Sequence, residues 1–319
     1  MQKQKINRRS LLTKSLTKAA GAAVLGVQVA RAQQPAWASL FPGFVSEQVK
    51  TSGATINAVK GGRGPGLLLM HGAPQSLVSW HKIAQQLAKD YTVVAIDLRG
   101  YGDSSKPEGG ANHVNYSKRA MALDGVEVMR HYGFEQFFVV GHDRGGRVAH
   151  RMALDHPEKV QKAVVIDIVP THKLYHNVTR QFAEQYYHWF FLTRPAPFPE
   201  TLISNSIEFY MGKGTPDTGP EYLRCFKNPA TVHAMCEDYR AAASIDLEHD
   251  DADLTKKVQC PLLVLWAANG AMGQQYPNLL DVWRERAANV SGKGLPGGHS
   301  LQETTPDETL AEILKHFRA

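Results

Sequence analysis

Position 143 is an aspartate set inside the run Gly141-His142-Asp143-Arg144-Gly145-Gly146-Arg147, directly after the apolar stretch Phe137-Phe138-Val139-Val140. The spacing Gly-x-Asp-x-Gly is that of a nucleophile elbow, where a buried strand turns sharply into a helix and lifts the central residue out of the turn. A carboxylate presented there attacks carbon directly and becomes an ester, so the chemistry narrows to a leaving group on saturated carbon or to a strained ring.

Arg144 and Arg147 narrow it further. Three residues apart on the helix that starts here, both can lie near its N-terminal end. That end favours anions through its free N–H groups and its dipole. Two guanidiniums added to it would hold a small carboxylate in forked, charge-assisted hydrogen bonds beside the attacking oxygen. The implied substrate is a short acid with a leaving group on its α-carbon. The competing reading pairs these arginines with acids such as Asp155 or Glu158.

The elements that must position these residues alternate apolar runs with helical patterns, in the manner of a mostly parallel sheet. Strands are expected at residues 54–59, 66–70, 92–96, 137–140, 163–166 and 262–266, and helices at 80–87, 117–131, 145–154 and 307–317. The residues suited to chemistry fall where strands end: His71-Gly72-Ala73-Pro74, then Asp97, Asp143 and Asp167. In open α/β sheets the site lies outside the carboxyl ends of the strands. From about residue 170 to 246 the pattern turns aromatic and proline-punctuated, with 181–192 strongly helical and 195–199 a stiff connector. The fold class is α/β: a mostly parallel central sheet flanked by helices, formed by residues 33–170 and 247–319, with an inserted helical cap at 171–246. A second independent domain is disfavoured by the short length of that segment and its place between two strands.

Composition excludes other classes once the N-terminus is set apart. Asn7-Arg8-Arg9-Ser10-Leu11-Leu12 reads as a twin-arginine signal, residues 19–30 as a weakly apolar stretch, and Ala30-Arg31-Ala32 as a small-x-small cleavage site. The apolar stretch is too short to span a bilayer. Residues 1–32 hold seven of the 36 Lys and Arg residues and no acid, which leaves 29 basic against 30 acidic residues in the remainder. The formal charge of +6 is therefore no sign of nucleic-acid binding. The expected product is an exported, periplasmic protein with no membrane attachment after cleavage. Its three cysteines, Cys225, Cys236 and Cys260, form no disulfide framework, and a Cys225–Cys236 bridge is disfavoured.

From residue 42 to 317 the chain resembles the α/β-hydrolase superfamily, and within it the haloacetate (fluoroacetate) dehalogenases. The resemblance rests on His71-Gly72-Ala73-Pro74-Gln75, on residues 97–104, on residues 141–147 and on Leu295-Pro296-Gly297-Gly298-His299. The cap segments Tyr187-His188-Trp189 and residues 238–243 join them. It implies Asp143 as nucleophile, His299 as the base that activates water, and Asp167 as the acid that orients His299. The loop Ala267-Ala268-Asn269-Gly270 offers no carboxylate for that role, which favours Asp167 independently. Arg144 and Arg147 become the clamp on the substrate carboxylate, and His188, Trp189 and Tyr239 the halide donors. The backbone N–H groups of Ala73 and Arg144 become the oxyanion hole. No metal or organic cofactor is implied, a small molecule is the partner, and a homodimer is compatible with the resemblance.

The chain departs from that pattern in three places. Ala73 replaces a bulkier aromatic, Ser300 follows His299 where an aromatic is more usual, and the cap before Tyr239 is about a dozen residues short. An epoxide hydrolase shares the Asp nucleophile and His-Asp pair, and Tyr186, Tyr187 and Tyr239 could protonate its ring oxygen. The two arginines stand against it, since a neutral epoxide carries no carboxylate. A catalytically silent receptor on the same fold is disfavoured by the intact nucleophile, base and acid. Fluoride preference over chloride or a larger 2-halo acid does not follow from the sequence.

Overall fold

The computed structural model describes residues 36–212 and 214–319. The twin-arginine segment expected at 1–32 lies outside the described residues.

Eight strands, β1 (Val45–Lys50), β2 (Thr55–Gly62), β3 (Gly66–Met70), β4 (Thr92–Ile96), β5 (Phe137–His142), β6 (Val160–Ile166), β7 (Leu262–Ala267) and β8 (Val290–Leu295), form one sheet. Its order is β1-β2-β4-β3-β5-β6-β7-β8. The first two pairings, β1 with β2 and β2 with β4, are antiparallel, and the rest are parallel. Strand β3 is buried at every position, and β4 and β5 nearly so, because both sheet faces are covered. Alternate residues serve the two faces. Leu67, Leu69, Val140, Val164 and Ile166 pack with Ile83, Leu87, Ile313 and Phe317 of helix α1 (His81–Leu87) and the C-terminal helix Pro306–Arg318. Leu68, Met70, Val139, Ala163 and Val165 pack with Met121, Val128, Val148 and Met152 of α2 (Lys118–His131) and α3 (Arg144–Asp155).

Between β6 and β7 the described chain is helical: α4 (Thr171–His176), α5 (Arg180–Gln185), α6 (His188–Phe191), α7 (Phe198–Asn205), α8 (Ile207–Met211), α9 (Gly219–Phe226), α10 (Pro229–Ala242) and α11 (Ile245–Ala252). No helix among the described residues is long and apolar enough to cross a membrane.

Three expectations need correction. Residues 181–192 form two helices, broken at Tyr186, which leaves the helical region at φ −115° and ψ 34°. The break lets Tyr186 and His188 line one cavity, whereas positions two apart on a continuous helix point to opposite sides. The proline-rich connector ends at 197, since Phe198 and Pro199 open α7, where proline's missing N–H costs nothing. Strands β1 and β8 went unread. The first is an edge strand buried only at Val49, and the second, Val-Ser-Gly-Lys-Gly-Leu, carries two glycines where strand-forming side chains would signal it. All three cysteines are free.

Candidate active site

Asp143 is the single residue between β5 and α3, at φ 46° and ψ −113°. A non-glycine residue held there is strained, and its surroundings must enforce the geometry. They do so by close packing. A β-carbon at Gly141 would fall 2.2 Å from the Gly145 carbonyl oxygen, and one at Gly145 would fall 2.3 Å from that of Met70. Only glycine lets β3, β5 and α3 approach this closely. The turn is pinned by the Gly145 N–H donating to His71 O (2.9 Å) and the Asp143 N–H donating to Ile166 O (3.2 Å). The Ala73 N–H donates to Asp143 Oδ2 at 3.1 Å.

The neighbouring strand β6 ends in Asp167, also at positive φ, 54°. Its backbone N–H donates to Leu265 O (2.7 Å), and its Oδ1 accepts the N–H of Ala267 (2.9 Å). Both anchors lie on β7, so the sheet itself aims the carboxylate. Oδ2 then meets His299 Nδ1 at 2.5 Å, leaving Nε2 as the free end of the imidazole.

The loop carrying His299 is held by residues to which the sequence assigned no role. His142 Nε2 lies 3.0 Å from the His299 carbonyl oxygen, and His142 Nδ1 lies 3.0 Å from Gln75 Oε1. Gln75 donates in turn to Ser300 Oγ (2.9 Å) and Glu303 Oε2 (2.6 Å). Burial pulls the pKa of His142 down to about 3, so it is a neutral strut with one N–H to give. Only the adjacency of His142 to Asp143 and of Gln75 to Pro74 in the quoted motifs hinted at this.

Electrostatics set the protonation states. Burial pushes the Asp143 carboxyl up, but His299, Arg144 and Arg147 around it outweigh burial and hold it below the usual range. Burial lowers His299, yet the hydrogen bond and charge of Asp167, helped by Asp143, raise its imidazolium above the ordinary value. His188 is drawn down to about 4 by burial, so it is neutral. Burial and the Asp143 charge drive Tyr239 well above its usual range and keep its hydroxyl protonated.

Arg144 and Arg147 lie behind the nucleophile, both buried. Arg144 does not pair with Asp155, which binds Arg119 and Arg151 instead. It meets the wholly buried Asp238 of α10 in a fork, Nε to Oδ2 at 2.8 Å and Nη2 to Oδ1 at 2.7 Å, with Nη2 also donating to Asp238 O at 2.8 Å. Lys118 and the hydroxyl of Tyr101 complete the carboxylate's partners. Arg147 Nη1 donates to Val169 O (2.9 Å) and Thr171 Oγ1 (3.1 Å). Each guanidinium keeps an unused donor: Arg144 Nη1 and Arg147 Nε are buried and have no hydrogen-bond partner among the described residues. A buried charged N–H without an acceptor is costly, and in folded proteins such groups are nearly always met by protein atoms or ordered water.

Trp189 is the hinge of this cluster. Arg147 lies 4.5 Å and Arg144 5.3 Å from its ring centre, and Tyr239 packs edge-on at 5.5 Å. His188 meets the other side of Tyr239 at 5.8 Å. A cavity of about 350 Å³ opens in front, lined by Ala73, Pro74, Asp143, Gln185, Tyr186, Tyr187, His188, Tyr210, Met235, Tyr239 and His299. Asp143, His299, His188 and Tyr239 thus line one cavity, whereas Trp189, packed edge-on against Tyr239, and the two arginines are not among its lining residues. Among the described residues no cluster of three or more His, Cys, Asp or Glu side chains is arranged to hold a metal ion.

The model of the alpha/beta hydrolase fold family matches residues 65–285. The chain is an α/β hydrolase. It is 47% identical to the fluoroacetate dehalogenase of Burkholderia sp over 290 residues, 87% of this chain and 95% of that one. It is 30% identical to the soluble epoxide hydrolase of Corynebacterium sp. (strain C12), across 85% of this chain and 96% of the relative. Among solved structures, an α/β hydrolase from Nostoc sp PCC 7120 superimposes with a TM-score of 0.84 at 54% identity, covering 86% of this chain and 98% of the other. The α/β-hydrolase fold expected from the strand-end motifs is therefore present across nearly the whole described chain.

Proposed function

We propose that this hydrolase cleaves the carbon–halogen bond of a short 2-halo carboxylic acid, giving the hydroxy acid and halide through an ester on Asp143. The observation that carries the reading is the pair of buried arginines behind Asp143, each with an unused N–H. Two such donors beside an attacking carboxylate suit a substrate that brings a carboxylate of its own. The kinship with fluoroacetate dehalogenase supports the same class.

Asp143 attacks the α-carbon as the carbon–halogen bond breaks and the halide leaves with the bonding pair. One carboxylate oxygen is held by the Ala73 N–H, so the other is free to attack. We assign the departing halide to the Tyr239 O–H, the Trp189 N–H and one N–H of neutral His188, preorganised donors that replace its water shell. His299, neutral and steered by Asp167, then takes a proton from water. The hydroxide attacks the ester carbonyl, whose oxygen is received by the backbone N–H groups of Ala73 and Arg144, and the acid is released.

A second reading, epoxide hydrolysis, draws on Tyr186, Tyr187 and Tyr239 lining the same cavity and on the epoxide hydrolase relative. Halide release from fluoroacetate, chloroacetate and 2-chloropropionate, with a neutral epoxide as control, separates the two. Diol formation without halide release rejects the dehalogenase. We further propose that residues 1–32 direct export of the folded enzyme to the periplasm, and recovery of a cytoplasmic protein that retains Arg8 and Arg9 would contradict this.

A further inference from the structure

A second chamber of about 310 Å³ adjoins the catalytic one. Ala73, Pro74 and His299 belong to the walls of both. Pockets of roughly 300–1,000 Å³ bury drug-sized ligands, so the two chambers together far exceed what a haloacetate of five non-hydrogen atoms fills. The junction lies beside the chemistry. The N–H of Ala73 is 3.1 Å from Asp143 Oδ2, and of the three shared side chains that of Ala73 is only a methyl group. A substituent on the carbon that Asp143 attacks therefore starts within reach of the opening.

The chamber's walls state what that substituent should be. Met211 and Tyr222 supply apolar surface. Beside Tyr222, buried Glu303 accepts hydrogen bonds from Thr218 Oγ1 (2.7 Å), Tyr222 Oη (3.1 Å) and Gln75 Nε2 (2.6 Å). Three neutral donors spent on one carboxyl leave it satisfied, with no cation among its hydrogen-bond partners to receive a second acid group. We propose that this chamber is a subsite for a neutral, apolar α-substituent, so that the enzyme's substrates extend to branched and aryl-bearing 2-halo acids. This rests on the dehalogenase reading above. The chemical step is the same displacement: the Asp143 oxygen–carbon bond forms, and the halide leaves with its electron pair.

Chloride release is measured from chloroacetate, 2-chloro-4-methylpentanoate, 2-chloro-3-phenylpropionate and 2-chlorosuccinate. The two apolar acids should be turned over with kcat/KM within about tenfold of chloroacetate, and chlorosuccinate should be rejected. Met211→Trp fills the chamber away from the reacting groups. It should lower kcat/KM for the apolar acids by about tenfold or more, the scale of steric discrimination in an apolar pocket, and leave chloroacetate within about twofold. Met211→Ala should shift preference the other way. If Met211→Trp loses chloroacetate turnover through misfolding, the smaller Met211→Phe carries the comparison. Chloroacetate turnover with no release from the branched acids overturns the subsite alone, as does a Met211→Phe or Met211→Trp variant that slows all acids alike. No release from any of the four overturns the underlying dehalogenase reading instead.

Discussion

Arg144 and Asp238 face each other fork to fork with both side chains fully buried, joining the residue after the nucleophile to a helix of the segment that covers the sheet. Burial raises the carboxyl of Asp238, but Arg144 and Lys118 overcome it and hold the pKa far below the usual range. Such a pair is expensive to break, because removing one partner strands the other's charge. Asp238→Ala should therefore lower unfolding free energy by about 3–5 kcal/mol. Denaturant midpoints of wild type and variant test this, and a loss below about 1 kcal/mol would show the pair relaxing into water.

Among the described residues Arg147 pairs with no carboxylate, and its Nη1 donates to Val169 O and Thr171 Oγ1. Arg147→Ala should cost roughly 2–5 kcal/mol in kcat/KM for a haloacid, the usual penalty for truncating one side of a buried charged contact. The same variant should leave halide release from a neutral analogue such as chloroacetamide nearly unchanged. Equal losses on charged and neutral substrates would mean the arginine supports the fold and not the substrate.

In the proposed mechanism His299 acts only in the second chemical step, so His299→Ala should still release one equivalent of halide and then stop. Mass spectrometry of the digested protein should find the substrate acid ester-linked to the peptide containing Asp143. An unmodified peptide alongside released halide would show that water attacks the substrate directly.

The two steps should also separate with pH. Asp143 titrates below the ordinary carboxylate range and His299 above the ordinary imidazole range. Between those values the nucleophile is ionised while the base is protonated. As pH falls through the raised pKa of His299, ester hydrolysis should fade while the first displacement continues, so the covalent ester accumulates in acid. Single-turnover halide release and acid-quenched ester yield measure the two limbs. A common pKa for both steps would refute the division of labour.

Trp189→Phe keeps an aromatic ring beside Arg147 and edge-on to Tyr239 but deletes the N–H. Fluoride, smaller and more strongly hydrated than chloride, needs that donor more. Turnover of fluoroacetate should fall by a clearly larger factor than turnover of chloroacetate, with about 2.7–4 kcal/mol as the ceiling for one donor to developing charge. Equal losses for both halides would leave Trp189 a packing residue.

The sheet's centre was legible because its signals are local: β3 and β4 were read to the residue, and Asp143 and Asp167 fall at the ends of β5 and β6 as their motifs required. What escaped was long-range or weakly patterned. Asp238 lies 94 residues from Arg144, and nothing in its own neighbourhood marks it as that arginine's partner. Gln75 reaches Glu303 across 228 residues. The aromatic stretch around Tyr186 has full helical periodicity, yet the chain leaves the helix there so that its side chains can turn toward the cavity. The small side chains of Ala73 and Ser300 were visible as departures, but the chamber they border depends on Met211 and Tyr222, set by how α8 and α9 pack.

The Arg144–Asp238 fork also governs traffic. A cover that swung away from the sheet to admit substrate would pull Asp238 off Arg144 and leave two opposite charges bare in a dry interior, a barrier of several kcal/mol at every turnover. Helix α10 is thereby latched to the helix that follows Asp143, and any route for substrate that leaves the fork intact avoids that cost.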